Sequence, residues 1–166
     1  MRPRLSLAST FSLVVALTAT VFTGPAAMAR PRAAQSPSPQ HFTIPLSARI
    51  QPARLAAMIR SGHAPTILQV GFTTLFQEAH IKGAIHAGPA VSDSGMTLLR
   101  NTVARFNRHR LLVIYCGCCP WPKCPNIRPA FEQLRKMGFT NVKVVYIPHN
   151  FGVDWLNRGF PTVKGD

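Results

Sequence analysis

Four cysteines stand within nine residues, in the segment "YCGCCPWPKCPN" (115–126), and the chain of 166 residues has no others. A disulfide framework spreads its cysteines through a fold, and a buried structural cysteine stands alone on an apolar face. A cluster is a site, and thiols can run several chemistries. A thiolate can attack a sulfane sulfur and carry it as a persulfide. "CGCC" (116–119) is a C-x-x-C ahead of a helix, which suits thiol–disulfide exchange in an oxidising compartment. Thiolates at Cys116, Cys118, Cys119 and Cys124 are soft donors for zinc or cuprous copper. Two local disulfides can also simply tie down an irregular loop. Paired C-x-x-C knuckles are missing, and all four thiols come from one proline-rich stretch. Metal binding therefore ranks below thiol chemistry, and no metal or other cofactor is assigned. Lys123 and Arg128 offer charge to an anionic substrate. Trp121 reads as a lid over the thiols or as a contact for a partner.

The elements that must hold this cluster alternate. Leu55, Met58 and Ile59 share a helical face over 51–62, and "TILQVG" (66–71) reads as a buried strand. Leu98, Leu99, Val103 and Phe106 form a stripe over an expected helix at 94–109. "LLVIYC" (111–116) is the most apolar run after residue 42 and reads as a central strand. Residues 126–139 read as a helix with Asn126 as N-cap, Pro129 in its first turn, an apolar face of Ile127, Phe131 and Leu134, and Gly138 at its end. "VKVVYI" (142–147) is another strand, and 151–159 a short helix or turn. Alternation of this kind predicts an α/β fold, a parallel central sheet covered by helices on both faces. In such sheets sites form beyond the carboxyl ends of the strands. Cys116 closes a strand and faces a helix N-terminus, where amide N–H groups favour a thiolate. Cys124 is its rival, because Pro-Asn and the helix start follow it directly.

Three passages carry a resemblance. "EAHIKGAIHAG" (78–88) is similar to a "GHIPGA" segment through His80, Ile81, Gly83 and Ala84. "LLVIYC" matches a strand that ends on a catalytic cysteine. "GFTNVKVV" (138–145), followed by Trp155 and "RGFP" (158–161), matches a closing "GF-x-NV … W … GYP". In this order they resemble the rhodanese-like (sulfurtransferase) domains over about residues 48–163. The resemblance implies a three-layer fold with a parallel central sheet. It also implies sulfur transfer from a small anionic donor such as thiosulfate to a thiol acceptor, through a persulfide on Cys116, with backbone N–H groups around 117–119 cradling the sulfur. Cys118, Cys119 and Cys124 then stand as resolving or alternative thiols, with Lys123, Arg128 and Trp121 at the substrate. The chain departs from the pattern in three ways. Gln69 and Gly71 replace the usual Asp and Arg of the "LIDVR" strand. The stretch after Cys116 is longer than usual. Pro120, Pro122 and Pro125 supply no N–H to a cradle. "GFPT" (159–162) imitates a cis-proline segment opposite a C-x-x-C, but too few residues follow it for a thioredoxin-like fold. Thiol–disulfide redox or metal binding on the four-cysteine loop, without sulfur transfer, is the alternative function.

The N-terminus predicts export. Arg2 and Arg4 precede an uncharged stretch (5–22), and "AMA" (27–29) supplies the small residues of a cleavage site. Residues 1–29 are therefore read as a signal peptide, 30–42 as a disordered Pro/Ser-rich linker and 43–166 as one domain, in the periplasm or outside the cell. Membrane contact is expected only through an uncleaved signal segment. The chain holds 19 Lys and Arg against 5 Asp and Glu, a net charge of +14. The basic residues are scattered and no nucleic-acid motif occurs, so attraction of anionic substrates is the better use of that charge, and no nucleic-acid partner is expected.

Overall fold

The computed structural model describes residues 44–165. The expected signal peptide and linker lie outside the described residues. Five strands form one all-parallel sheet: β1 (Arg49–Ile50), β2 (Thr66–Gln69), β4 (Ala84–His86), β5 (Leu112–Tyr115) and β6 (Val142–Val145), in the order β1-β6-β5-β2-β4. The apolar run at 111–116 is the middle strand, as its composition requires of a strand covered on both faces. Helices α1 (Pro52–Arg60), α2 (Thr73–Glu78), α3 (Asp93–Val103), α4 (Ile127–Lys136) and α5 (Phe151–Asp154) complete the α/β fold.

Side-chain alternation along β5 sorts the core into two halves. Leu112, Ile114 and Cys116 face one way, onto Leu99 and Val103 of α3 and Ile127, Ala130, Phe131 and Leu134 of α4. Val113 and Tyr115 face the other way, onto Leu55 and Ala56 of α1 and onto Phe151 and Trp155. Helix α4 carries its buried residues at i, i+3, i+4 and i+7, the stripe of a helix packed on a sheet.

Two sequence expectations need correction. The helix expected at 94–109 stops at Val103, and Leu98 is exposed. The guanidinium of Arg108 donates to the carbonyls of Val103, Ala104 and Phe106, so a side chain takes the groups that a further turn would have used. Asn126 occupies the N-cap position of α4 but caps nothing with its side chain, which is engaged elsewhere.

A two-stranded antiparallel ribbon, β3 (His80–Ile81) with β7 (Thr162–Val163), joins the "HIKGA" segment to the chain that follows "RGFP". Its Ile81 N–H donates to the buried Tyr115 hydroxyl at 3.0 Å, which ties the ribbon to the central strand. His80 is structural: its Nδ1 lies 2.8 Å from the Phe76 carbonyl and its ring stacks on Phe76. Among the described residues no helix is long and apolar enough to cross a membrane.

Candidate active site

The chain leaves β5 at Cys116, whose side chain is 4% exposed. Gly117 follows with φ of +85°, a left-handed conformation that a residue with a Cβ rarely adopts. A Cβ there would also come within 3.3 Å of Phe151. This turn folds Cys118 back so that its Sγ lies 3.0 Å from that of Cys116. Cys119 continues the row at 2.9 Å from Cys118. A short 3-10 turn, Trp121–Lys123, then reverses the chain. Its Trp121 N–H donates to the Ile147 carbonyl at 3.0 Å, just beyond β6, and its ring packs edge-on against Tyr146. The Arg49 guanidinium lies over both rings. Pinned in this way, the loop returns Cys124 to the start of α4, 4.0 Å from Cys118. The sulfurs of Cys116, Cys118 and Cys124 all lie within 4.8 Å of one another. All four thiols are free, at separations well beyond the about 2.0 Å of a disulfide bond.

Asn126 completes the cluster. It is fully buried, donates from Nδ2 to the Cys116 sulfur at 3.3 Å, and accepts the Val91 N–H on Oδ1 at 3.0 Å. The backbone N–H of Cys118 also donates to the Cys116 sulfur, and those of Asn126 and Ile127 donate to that of Cys124. The thiols divide into proton holders and charge holders. Cys116 is pushed up because it donates to Cys118 and to Cys124 and because it is buried. Cys119 is pushed up by burial and then by its bond to Cys118. Cys118 is drawn down to about 5, chiefly by the hydrogen bond from Cys116, against the effect of burial. Cys124 is drawn down by its bond from Cys116, also against burial, with help from the backbone N–H groups at the helix start.

On the β2 side, Gln69 fills the place of the expected acidic residue. Its side chain is 1% exposed, and its Nε2 donates to the Cys116 carbonyl at 3.2 Å. Its Oε1 lies 2.9 Å from His86 Nδ1, and His86 Nε2 lies 3.0 Å from the Thr73 hydroxyl. An amide that gives its N–H to one carbonyl must accept on its oxygen, so His86 carries its proton on Nδ1. Burial holds the His86 ring below its ordinary pKa, in keeping with this neutral form, although a backbone bond at Gly88 opposes it. Gly71 has no room for a side chain: a Cβ would lie 2.8 Å from the Cys116 carbonyl oxygen and 3.0 Å from its sulfur. A cleft of about 170 Å³, lined by Gln69, Glu78, Tyr115, Cys116, Gly117 and Phe151 among others, opens beside the strand end.

The other residues singled out in the sequence lie around this centre. Lys123 is exposed on the 3-10 turn. Arg128 is exposed on the first turn of α4 and donates to Glu132 at 3.0 Å, so Glu132 has a partner that the sequence did not reveal. Trp121 is half-buried and packs against the α4 side of the core. Asp154 is partnered as well: it accepts from the backbone N–H of His149 at 2.8 Å and pairs with His149 Nδ1 at 3.0 Å. The i, i+5 spacing of this pair matches no helical or strand period, so only the turn into α5 brings it together.

Burial pushes the Asp154 carboxyl up, but the bonds from His149 outweigh it and hold the group below its ordinary 3.8. The stability this carboxylate contributes is present above the unfolded value and is lost as pH falls through the lower folded one. Asp154→Asn is expected to cost about 2 kcal/mol at neutral pH, the scale of a buried charge-assisted hydrogen bond. Urea unfolding from neutral to acid pH checks this: the variant's stability should fall less steeply on the acid side than that of the parent.

No family model matches the chain, and no curated protein matches it. Solved structures do. The BH2092 protein of Bacillus halodurans superposes with a TM-score of 0.57 at 20% identity, over 72% of this chain and 78% of its own. The Alr3790 protein of Anabaena gives 0.53 at 19%, over 69% and 91%. The rhodanese-like domain of that Anabaena protein, in solution, gives 0.52 at 19%, over 70% and 79%. The described residues thus have the rhodanese-like fold, with the cysteine cluster at the carboxyl end of its central strand.

Proposed function

We propose that this protein is a sulfurtransferase that carries sulfane sulfur as a persulfide on Cys116. The observation that carries the reading is the Cys118 sulfur 3.0 Å from the Cys116 thiol, at the end of the central parallel strand. Cys116 holds its proton and needs a base, and Cys118 is placed to be that base. In the forward step the Cys116 sulfur bonds to the sulfane sulfur of a thiosulfate-type donor. Its proton passes to Cys118, the S–S bond of the donor breaks, and sulfite leaves with the bonding pair. N–H groups from Asn126 and from the Cys118 backbone support the charge on sulfur. A thiol acceptor then takes the outer sulfur, and Lys123 draws the anionic donor toward the loop. The signal-like N-terminal sequence supports reading this as the chemistry of an exported protein.

Intact mass of the reduced protein before and after thiosulfate tests the reading. The expected result is a gain of one sulfur atom that a thiol reductant removes. No gain, with all four thiols open to alkylation, overturns it. The 2.9 and 3.0 Å thiol contacts favour one second reading, thiol–disulfide exchange without sulfur transfer. Under it, no sulfur is gained and a pair of thiols resists alkylation until the protein is reduced.

A further inference from the structure

We infer that Cys116, Cys118 and Cys124 form a binding site for one cuprous ion, held by three thiolate sulfurs. The site does not rest on sulfur transfer, and it is built from geometry. A metal–thiolate bond of about 2.3 Å sets the sulfurs of a planar three-coordinate centre about 4 Å apart. Cys118 and Cys124 already stand 4.0 Å apart, and all three sulfurs fall within 4.8 Å. The 3.0 Å contact between Cys116 and Cys118 has to open by about 1 Å, once the proton between them is gone.

The number of donors selects the ion. Among the described residues these three make up the ligand group whose sulfurs all lie within 4.8 Å of one another, and Cys119 stands beside it, hydrogen-bonded to Cys118 at 2.9 Å and to Cys124. Structural zinc takes four ligands. Soft monovalent copper accepts an all-thiolate set and is satisfied with three. Binding forms three Cu–S bonds, and each sulfur of the triangle that still carries a proton, Cys116 first, gives it up to solvent, with no change in oxidation state. The resulting excess negative charge meets N–H donors already aimed at the sulfurs, from Asn126 Nδ2 to Cys116 and from the Asn126 and Ile127 backbone to Cys124. Cys119, half-buried and 2.9 Å from Cys118 but outside the triangle, is placed to meet an arriving ion and pass it inward.

The test is an anaerobic titration of the reduced protein with cuprous ion in competition with a chromophoric cuprous chelator. One equivalent should be taken from the chelator. Cys116→Ser, Cys118→Ser and Cys124→Ser should each weaken binding by at least about 100-fold, and Cys119→Ser by less than about tenfold. No uptake, an equal loss in Cys119→Ser, or tighter retention of zinc than of copper overturns the site. X-ray absorption of the copper-loaded parent protein guards against a variant that fails to fold: three sulfur neighbours support the site, and two or four overturn it. The sulfur-uptake assay is read on metal-free protein, so its failure leaves the copper titration standing, and the reverse holds as well.

Discussion

Cys116→Ser is expected to abolish sulfane-sulfur uptake, while Cys124→Ser keeps most of it. Cys116 lies at the end of the middle strand, and four groups converge on its sulfur: the Cys118 and Cys124 sulfurs, the Cys118 backbone N–H and the Asn126 amide. Serine fits the same space and can still accept from Asn126, so the fold should survive. It cannot form a persulfide, and the rate should fall by at least roughly a thousandfold, as when a covalent nucleophile is removed. Cys124 is not in line for this role, because its sulfur leans on the helix start and reaches Cys118 only at 4.0 Å. Mass spectrometry after thiosulfate, with circular dichroism to verify folding, reads the result. Uptake retained in Cys116→Ser and lost in Cys124→Ser would move the nucleophile to the helix start.

Trp155→Ala should cost about 3–5 kcal/mol, the most costly single truncation expected in this molecule. The Trp155 side chain is fully buried. Its ring stacks on Phe151, meets Phe160 edge-on, and donates from Nε1 to the Pro161 carbonyl at 3.2 Å. Truncation removes the area, leaves a void and strands that carbonyl. The effect should also reach the site, since Phe151 stacks on Tyr115 and lies against Gly117. Urea unfolding gives the number, and Trp155→Phe should recover part of the loss. A cost below about 1 kcal/mol would show that the pocket collapses around the gap, the regime in which cavity penalties nearly vanish.

The central elements were legible because their apolar content is high and their period clear. Residues 66–69, 112–115 and 142–145 stood out as strands, and the stripe of α4 as a helix. The edges were not legible. β1 is two residues long, β4 is only partly covered, and α2 is six residues with a single buried side chain. Short elements at a sheet edge carry too few apolar positions to show a period. The cysteine cluster was plain in the sequence, but its closure was not. That closure depends on a left-handed Gly117 and on a backbone bond from Trp121 to Ile147, far apart in sequence but adjacent in space. Asn126 shows the limit of local rules. Read as a helix cap, it is drawn instead to a thiol and to the Val91 N–H, because a fully buried amide must satisfy both its ends. Gln69 was visible only as a departure from a pattern, and its partner, the Cys116 carbonyl, belongs to a neighbouring strand.

The three prolines of the cysteine loop have a thermodynamic consequence. Pro120 and Pro122 bracket Trp121, and Pro125 separates Cys124 from α4. Each fixes one backbone torsion in the unfolded chain as well as in the folded one, so less conformational entropy is lost when the loop orders. The thiols are therefore gathered by stiffness rather than by a covalent cross-link. A cross-link would consume the very groups the site needs. A stiff but open loop keeps every sulfur chemically available, and whatever arrives finds its ligands preorganised.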